Sequence, residues 1–222
     1  MRTRHASSPS YDMNHISKDL LDFGYATSLE KVSQNKLPRI SKILALQCAT
    51  MEAFRTSSTG APRMTDYALL AEQVRSLAEE DAGWIALLAN TTALVMDALP
   101  DLNWAGFYLA RDATDGSSEL VVGPFQGRLA CARIPFGRGV CGRAAATGET
   151  IVVPDVHAFP GHIACDSASA AEIVVPLHLD GHVVAVFDVD SPVLGRFSSA
   201  DRDGLERLVS VLEDVAQRSV LG

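Results

Sequence analysis

Three thiols and three carboxylates in the second half of the chain are the groups that could do chemistry. Cys131, Cys141 and Cys165 all fall in the stretch Gly123–Pro176, among loops rich in Gly, Pro, His and Ser. Loops of this composition place reactive groups in the open more often than they build a core. The thiols are spaced ten and twenty-four residues apart, with no CxxC pair. Zinc-ribbon and thioredoxin-type motifs are thereby excluded. His157, His162 and Cys165, joined by Cys131 or Cys141, would supply four metal ligands, but in a spacing that matches no common zinc pattern. The remaining ordinary reading is that the cysteines simply pack in a small-residue core. The polar flanks of Cys165, HIA before it and DSAS after it, argue against that reading.

Cys141 has a different setting. It follows FGRGV and opens a short helix of small residues, with Arg138 and Arg143 close by in sequence. A helix N-terminus and nearby cations favour the thiolate, so a pKa below the free value of about 8.5 is expected. The glycines at 137, 139 and 142 have the look of a phosphate-binding loop, yet the lysine and the following Ser/Thr are missing. The carboxylates lie in VFDVDSP. In a strand Asp188 and Asp190 project from one face, roughly 7 Å apart, with Val184 and Val186 continuing that face and Ala185, Phe187 and Val189 lining the other. Two acids that end an apolar strand either emerge into solvent or raise each other's pKa in a pocket. Glu172 begins the neighbouring strand and can bring a third acid to the same pocket. Trp104 would supply an apolar or cation-attracting wall, or else an ordinary core tryptophan.

The elements that must position these groups begin at Thr65. Tyr67, Leu70, Val74 and Leu77 recur at helical spacing behind a Thr65 cap, and Ile85, Leu88, Thr92, Val95, Met96 and Leu99 mark a second helix ended by Pro100. Asn103–Ala110 reads as a strand, followed across a polar turn by another that ends near Gly123. Short strands at Ala132–Pro135 and Ile151–Val153 flank the helix Val140–Thr147. Glu172–Leu177 and His182–Asp190 form a hairpin across Asp180-Gly181. Ser198 and Asp201 make a capping box for a last helix whose apolar stripe is Leu205, Leu208, Val209, Leu212, Val215 and Ala216. This order predicts an α+β fold with an antiparallel sheet.

Residues 1–63 read as a separate, mostly disordered N-terminal extension, and residues 64–222 as the folded domain. The extension carries nine Lys/Arg against five Asp/Glu, net +4, and all the lysines of the chain; the rest carries ten Arg against twenty-two acids, net −12. A short helix near Ile40–Leu46 and a Cys48 without a role are expected there. Arg2, Arg4 and His5 would suit a transit peptide, while Asp12, Asp19 and Asp22 oppose one. The overall charge of −8 argues against a nucleic-acid partner. No apolar run approaches the 18 or more residues of a membrane span, and no secretory signal is legible. A cytoplasmic, reducing setting follows as the expectation, in which thiols serve catalysis or metals rather than structural disulfides.

NWAGFYL, the long run GPFQGRLACARIPFGRGVCGRAAATGETIVVPDVHAFPGHIACDSAS, EIVVPL and VFDVDSP together resemble the free methionine-(R)-sulfoxide reductases, which are GAF-domain enzymes. The resemblance spans about residues 64–222. It implies a GAF fold, an antiparallel β-sheet flanked by α-helices, in a homodimer formed through terminal helices. The implied reaction is reduction of the R epimer of free methionine sulfoxide, a defence against oxidative stress, with no bound cofactor or metal and thioredoxin as external reductant. Cys165 is then the nucleophile, Cys131 the principal resolving thiol, and Cys141 a second resolving thiol or rival nucleophile. Glu172, Asp188 and Asp190 become substrate-pocket acids and Trp104 the aromatic wall. A non-catalytic GAF module that senses a small ligand or redox state is the alternative, and a metal-binding protein the third reading.

Overall fold

A computed structural model describes residues 65–80, 82–113, 115–163 and 165–221, with side chains through Arg218. The expectations for the extension 1–63, including the helix near Ile40–Leu46 and Cys48, lie outside the described residues. Two helices, α1 (Tyr67–Ala78) and α2 (Trp84–Ala98), precede strands β1 (Trp104–Asp112), β2 (Ser118–Gly127) and β3 (Arg133–Pro135). Helix α3 (Gly139–Thr147), strand β4 (Ile151–Val153) and a 3-10 turn at Val156–Ala158 follow. The chain closes with β5 (Ala171–Leu179), β6 (His182–Ser191) and helix α4 (Ser199–Leu221). The six strands form one sheet in the order β3-β2-β1-β6-β5-β4, with every neighbouring pair antiparallel. The predicted α+β class is the one observed. Among the described residues no helix is long and apolar enough to cross a membrane.

Strand alternation divides the core in two. Ala105 and Phe107 of β1, Ile173, Val175 and Leu177 of β5, and Ala185, Phe187 and Val189 of β6 face α1, α2 and α4, forming a continuous apolar cluster. The alternate residues Trp104, Tyr108, Val174 and Val186 face the opposite side, where they meet α3, Leu120, Ile134, Val153 and Val156. The Asp180-Gly181 hairpin has φ of 51° and 78°, the left-handed pair a two-residue hairpin turn needs. The capping box also forms: Ser198 N–H donates to Asp201 Oδ2 at 2.8 Å and Asp201 N–H to Ser198 Oγ at 3.3 Å. Tyr67 Oη donates to Asp201 Oδ1 at 2.7 Å, tying α1 to the start of α4.

Two local expectations are corrected. The cap of α1 is Asp66, whose carboxylate accepts from Leu69 N–H at 3.0 Å, and not Thr65. Val184 does not continue the face of the two aspartates. The register of β5 and β6 slips between Leu177/Ala185 and His178/Val183, leaving Val184 as the unpaired residue of a bulge. It therefore packs with the helical face, and Val183 takes the position on the acid side.

Candidate active site

The register of the two central hairpin strands assembles the acids. Glu172 pairs with Asp190 and Val174 with Asp188, so all three carboxylates leave the sheet on the face away from α1, α2 and α4. On the other side of β6, Trp104 pairs with Asp190 and Tyr108 with Val186. Glu172 and Asp188 are 5% and 6% exposed, and Asp190 is half-buried. Burial pushes each carboxyl well above its ordinary range. The next contributions are Asp190 for Glu172, Glu172 for Asp188, and Asp188 for Asp190. Among the described residues no arginine pairs with any of them. At neutral pH such a group holds protons that exposed carboxyls would have lost.

Helix α3 brings the first thiol to this pocket. Gly137 and Gly139 have φ of 81° and 63°, and Gly137 N–H donates to Gly142 O at 2.6 Å. These glycines build the tight turn by which α3 enters the pocket, and the Gly137 N–H is already taken up within it. Cys141 is 4% exposed, and its thiol donates to Glu172 Oε1 at 3.7 Å. Its pKa is raised, contrary to the reading from its helix-start position. Burial is the main cause, and Asp188 and Glu172 add to it. The cations do not offset this: Arg138 is exposed at the rim of the cavity, and Arg143 is exposed and lies over the Phe159 ring at 4.6 Å. Cys141 is a protonated thiol among acids.

The other two thiols meet at the mouth. Cys131, after β2, and Cys165, in the loop before β5, are joined in a disulfide with Cα atoms 5.5 Å apart. Cys165 lines the same cavity as Cys141, Glu172, Asp188 and Asp190, together with Tyr108, His162 and Ser169. The cavity measures about 30 Å³, room for a water or two. Both cysteine loops are pinned to the start of β1. Trp104 Nε1 donates to Arg128 O at 3.2 Å, Asn103 Nδ2 to Asp166 Oδ2 at 3.2 Å and to Ser169 Oγ at 3.0 Å, and Arg128 pairs with Asp166 at 3.8 Å.

Six of the seven residues singled out in the sequence thus share one locus: five line the cavity, and Cys131 is bonded to one of them. Trp104 stands one layer back, stacked on Tyr108 at 5.8 Å and on Phe125 at 5.4 Å. Tyr108 is the aromatic residue that lines the cavity directly, with its hydroxyl pKa pushed up by burial first and Asp188 second. Sequence reasoning missed it, although it follows Trp104 by four positions on the same strand face. His162 was considered only as a metal ligand, beside Cys165 and His157. His157 is exposed, while His162 Nε2 comes within 3.7 Å of Glu172 Oε2. Burial and, after it, His157 lower the His162 pKa, which keeps the ring neutral.

A six-stranded antiparallel sheet with three helices on one face and a loop-covered pocket on the other is the build of a GAF domain, and residues 86–215 match the GAF domain family. A curated relative, the free methionine-R-sulfoxide reductase of Escherichia coli, is 50% identical over 67% of this chain and 87% of its own length. The X-ray structure of free methionine-R-sulfoxide reductase from Neisseria meningitidis in complex with its substrate superposes with a TM-score of 0.65. It is 46% identical and covers 72% of this chain and 96% of its own. The reduced form of fRMsr of Staphylococcus aureus gives a TM-score of 0.64 at 44% identity, over 71% and 99% of the two chains. The chain belongs to the free methionine-R-sulfoxide reductase family of GAF-domain proteins.

Proposed function

We propose that this protein reduces free L-methionine (R)-S-oxide to methionine through a thiol cycle. The observation that carries the reading is a cysteine pair close enough to be disulfide-linked at the mouth of a pocket lined by the carboxyls of Glu172, Asp188 and Asp190. The Cys165 thiolate attacks the sulfoxide sulfur while a pocket carboxyl passes its proton to the oxygen. The Glu172–Asp188 pair is the proton source, and Asp190, nearer the mouth, takes the substrate ammonium. Oxygen is transferred to Cys165, leaving a sulfenic acid and free methionine, so the substrate sulfur gains the two electrons that Cys165 loses. The Cys131 thiol then attacks the sulfenic sulfur, water departs, and a disulfide forms. Thioredoxin reopens it by thiol–disulfide exchange.

Cys141 serves as a buried thiol that holds Glu172, while Tyr108, backed by Trp104, walls the pocket. No bound cofactor enters this cycle. In this reading the loops of Cys131 and Cys165 part when their disulfide is reduced, which widens the narrow cavity for an amino acid. Assembly as a homodimer through terminal helices and a cytoplasmic setting belong to the same proposal. Incubating the purified chain with separated sulfoxide epimers and dithiothreitol tests it. Methionine is expected from the free R form alone. No methionine from that form would refute the reaction and leave the domain as a ligand- or redox-sensing GAF module.

A further inference from the structure

The deep end of the pocket also has the makings of a metal site. Cys141 Sγ and one carboxylate oxygen each from Glu172 and Asp188 lie within 4.8 Å of one another, and all three residues are buried. Asp188 Oδ1 has no hydrogen-bond partner, although Asp188 is only 6% exposed and lines the cavity. An unpartnered polar atom in a buried side chain is costly, about 1–3 kcal/mol, and it leaves a free valence at which a ligand atom could bind once the carboxyl is ionised. His162 Nε2, on the same cavity wall, is 3.7 Å from Glu172 Oε2, and Cys141 Sγ is 3.7 Å from Glu172 Oε1. Zinc bonds of about 2.0–2.3 Å in a tetrahedron place ligand atoms roughly 3.3–3.8 Å apart. Cys141 and His162 approach different oxygens of Glu172, so the Cys141–Glu172 pair alone is already at that spacing, and the 4.8 Å spread of Cys141, Glu172 and Asp188 requires a shift of about 1 Å to close.

We propose that Cys141 Sγ, Glu172 and Asp188 form a binding site for a borderline-soft divalent cation of the Zn²⁺ class, which occupies the pocket in competition with substrate. The donor set selects the ion. Thiolate and carboxylate together suit Zn²⁺, whereas Mg²⁺ and Ca²⁺ want oxygen throughout. Binding exchanges the Cys141 thiol proton, released to solvent, for a sulfur–metal bond. The ion is an inhibitor rather than a resident cofactor, since it fills the place where the carboxyls meet substrate. Binding itself is independent of the proposed reaction; only the competition rests on it.

The full chain carrying Cys48→Ser, with the Cys131–Cys165 disulfide intact, leaves Cys141 as the one available thiol. Titration with Zn²⁺ by calorimetry, and with Co²⁺ by absorption, is expected to show about one ion per chain and a thiolate-to-cobalt charge-transfer band. Cys141→Ser and Asp188→Asn, each checked for unchanged circular dichroism, should weaken binding at least about 100-fold. Absence of stoichiometric binding, a cobalt spectrum without the thiolate band, or undiminished affinity in both variants would overturn the site. In a second arm, protein reduced with a phosphine turns over the free R epimer. Zn²⁺ is expected to raise KM without lowering kcat, and a fall in kcat alone would overturn the competition. If the protein has no reductase activity, the first arm still decides the metal site.

Discussion

The two faces of the central sheet are built from the same strands and do opposite things. On one, Phe107, Ile173, Val175, Phe187 and Val189 pack against three helices, and the buried acid at that side, Asp201, is tied up by Tyr67, Ser198 and Arg196 at the start of α4. On the other, the residues one step along those strands are Tyr108, Glu172, Val174, Asp188 and Asp190, roofed only by the short helix α3 and by loops. Apolar burial drives folding, so the helical face holds the domain together. It does so firmly enough to tolerate desolvated carboxyls on the face behind it. A protein that keeps its acids protonated at neutral pH gives up stability for chemistry. The comparison teaches that a residue's face decides which of the two a substitution damages.

The sharpest break between the faces is at Cys165. Cys165→Ser should lower turnover of the free R epimer by on the order of 10³-fold or more while leaving folding intact, since the residue sits in a surface loop. Cys131→Ser should instead release one equivalent of methionine and stop with a sulfenic acid on Cys165, trapped and located by mass spectrometry. Full multiple turnover by Cys165→Ser would transfer the nucleophile to another thiol.

The helical face predicts the reverse pattern. Leu212 is fully buried in α4 among the apolar cluster. Leu212→Ala should cost about 2–5 kcal/mol in urea unfolding, yet leave kcat per folded molecule within about twofold. A large fall in kcat at temperatures where the variant is folded would show that the two faces are coupled.

How much of this division was legible in the sequence follows from how local each feature is. The alternation that sets Asp188 and Asp190 on one face, the left-handed turn at Asp180-Gly181 and the box of Ser198 and Asp201 are encoded within a few residues, and all of them formed. Features decided by packing were not legible. Cys141 has the neighbours of an activated thiol, but α3 docks so that its sulfur is buried against Glu172 while Arg138 stays exposed at the cavity rim and Arg143 lies over Phe159. Val184 changed sides because a bulge, which alternation cannot foresee, interrupts the register. Trp104 and Tyr108 are equivalent by periodicity, and only the course of the Arg128 loop places the tryptophan behind the tyrosine.

The smallest stability effect tests the cost of the acidic face directly. An aspartate ordinarily titrates near pH 3.9, and burial, with Glu172 next in importance, holds Asp188 well above that. Below about pH 4 both folded and unfolded chains carry the proton, and its contribution to stability is fully present. As pH rises past that value the unfolded chain releases the proton and the folded one keeps it. Stability then drains by up to about 1.4 kcal/mol per pH unit until the folded carboxyl itself ionises. Asp188→Asn removes the titration while keeping the shape, and it relieves Glu172 of a like charge. With the disulfide state held fixed, the variant and the parent should differ least near pH 4. The variant should gain about 1–3 kcal/mol relative to the parent by pH 8, read from urea unfolding at each pH. Its kcat should at the same time fall by about 10²–10⁴-fold, the usual weight of a general acid. Parallel stability curves for the two proteins across that range would mean that Asp188 ionises normally, and that the pocket face stores no proton for the reaction.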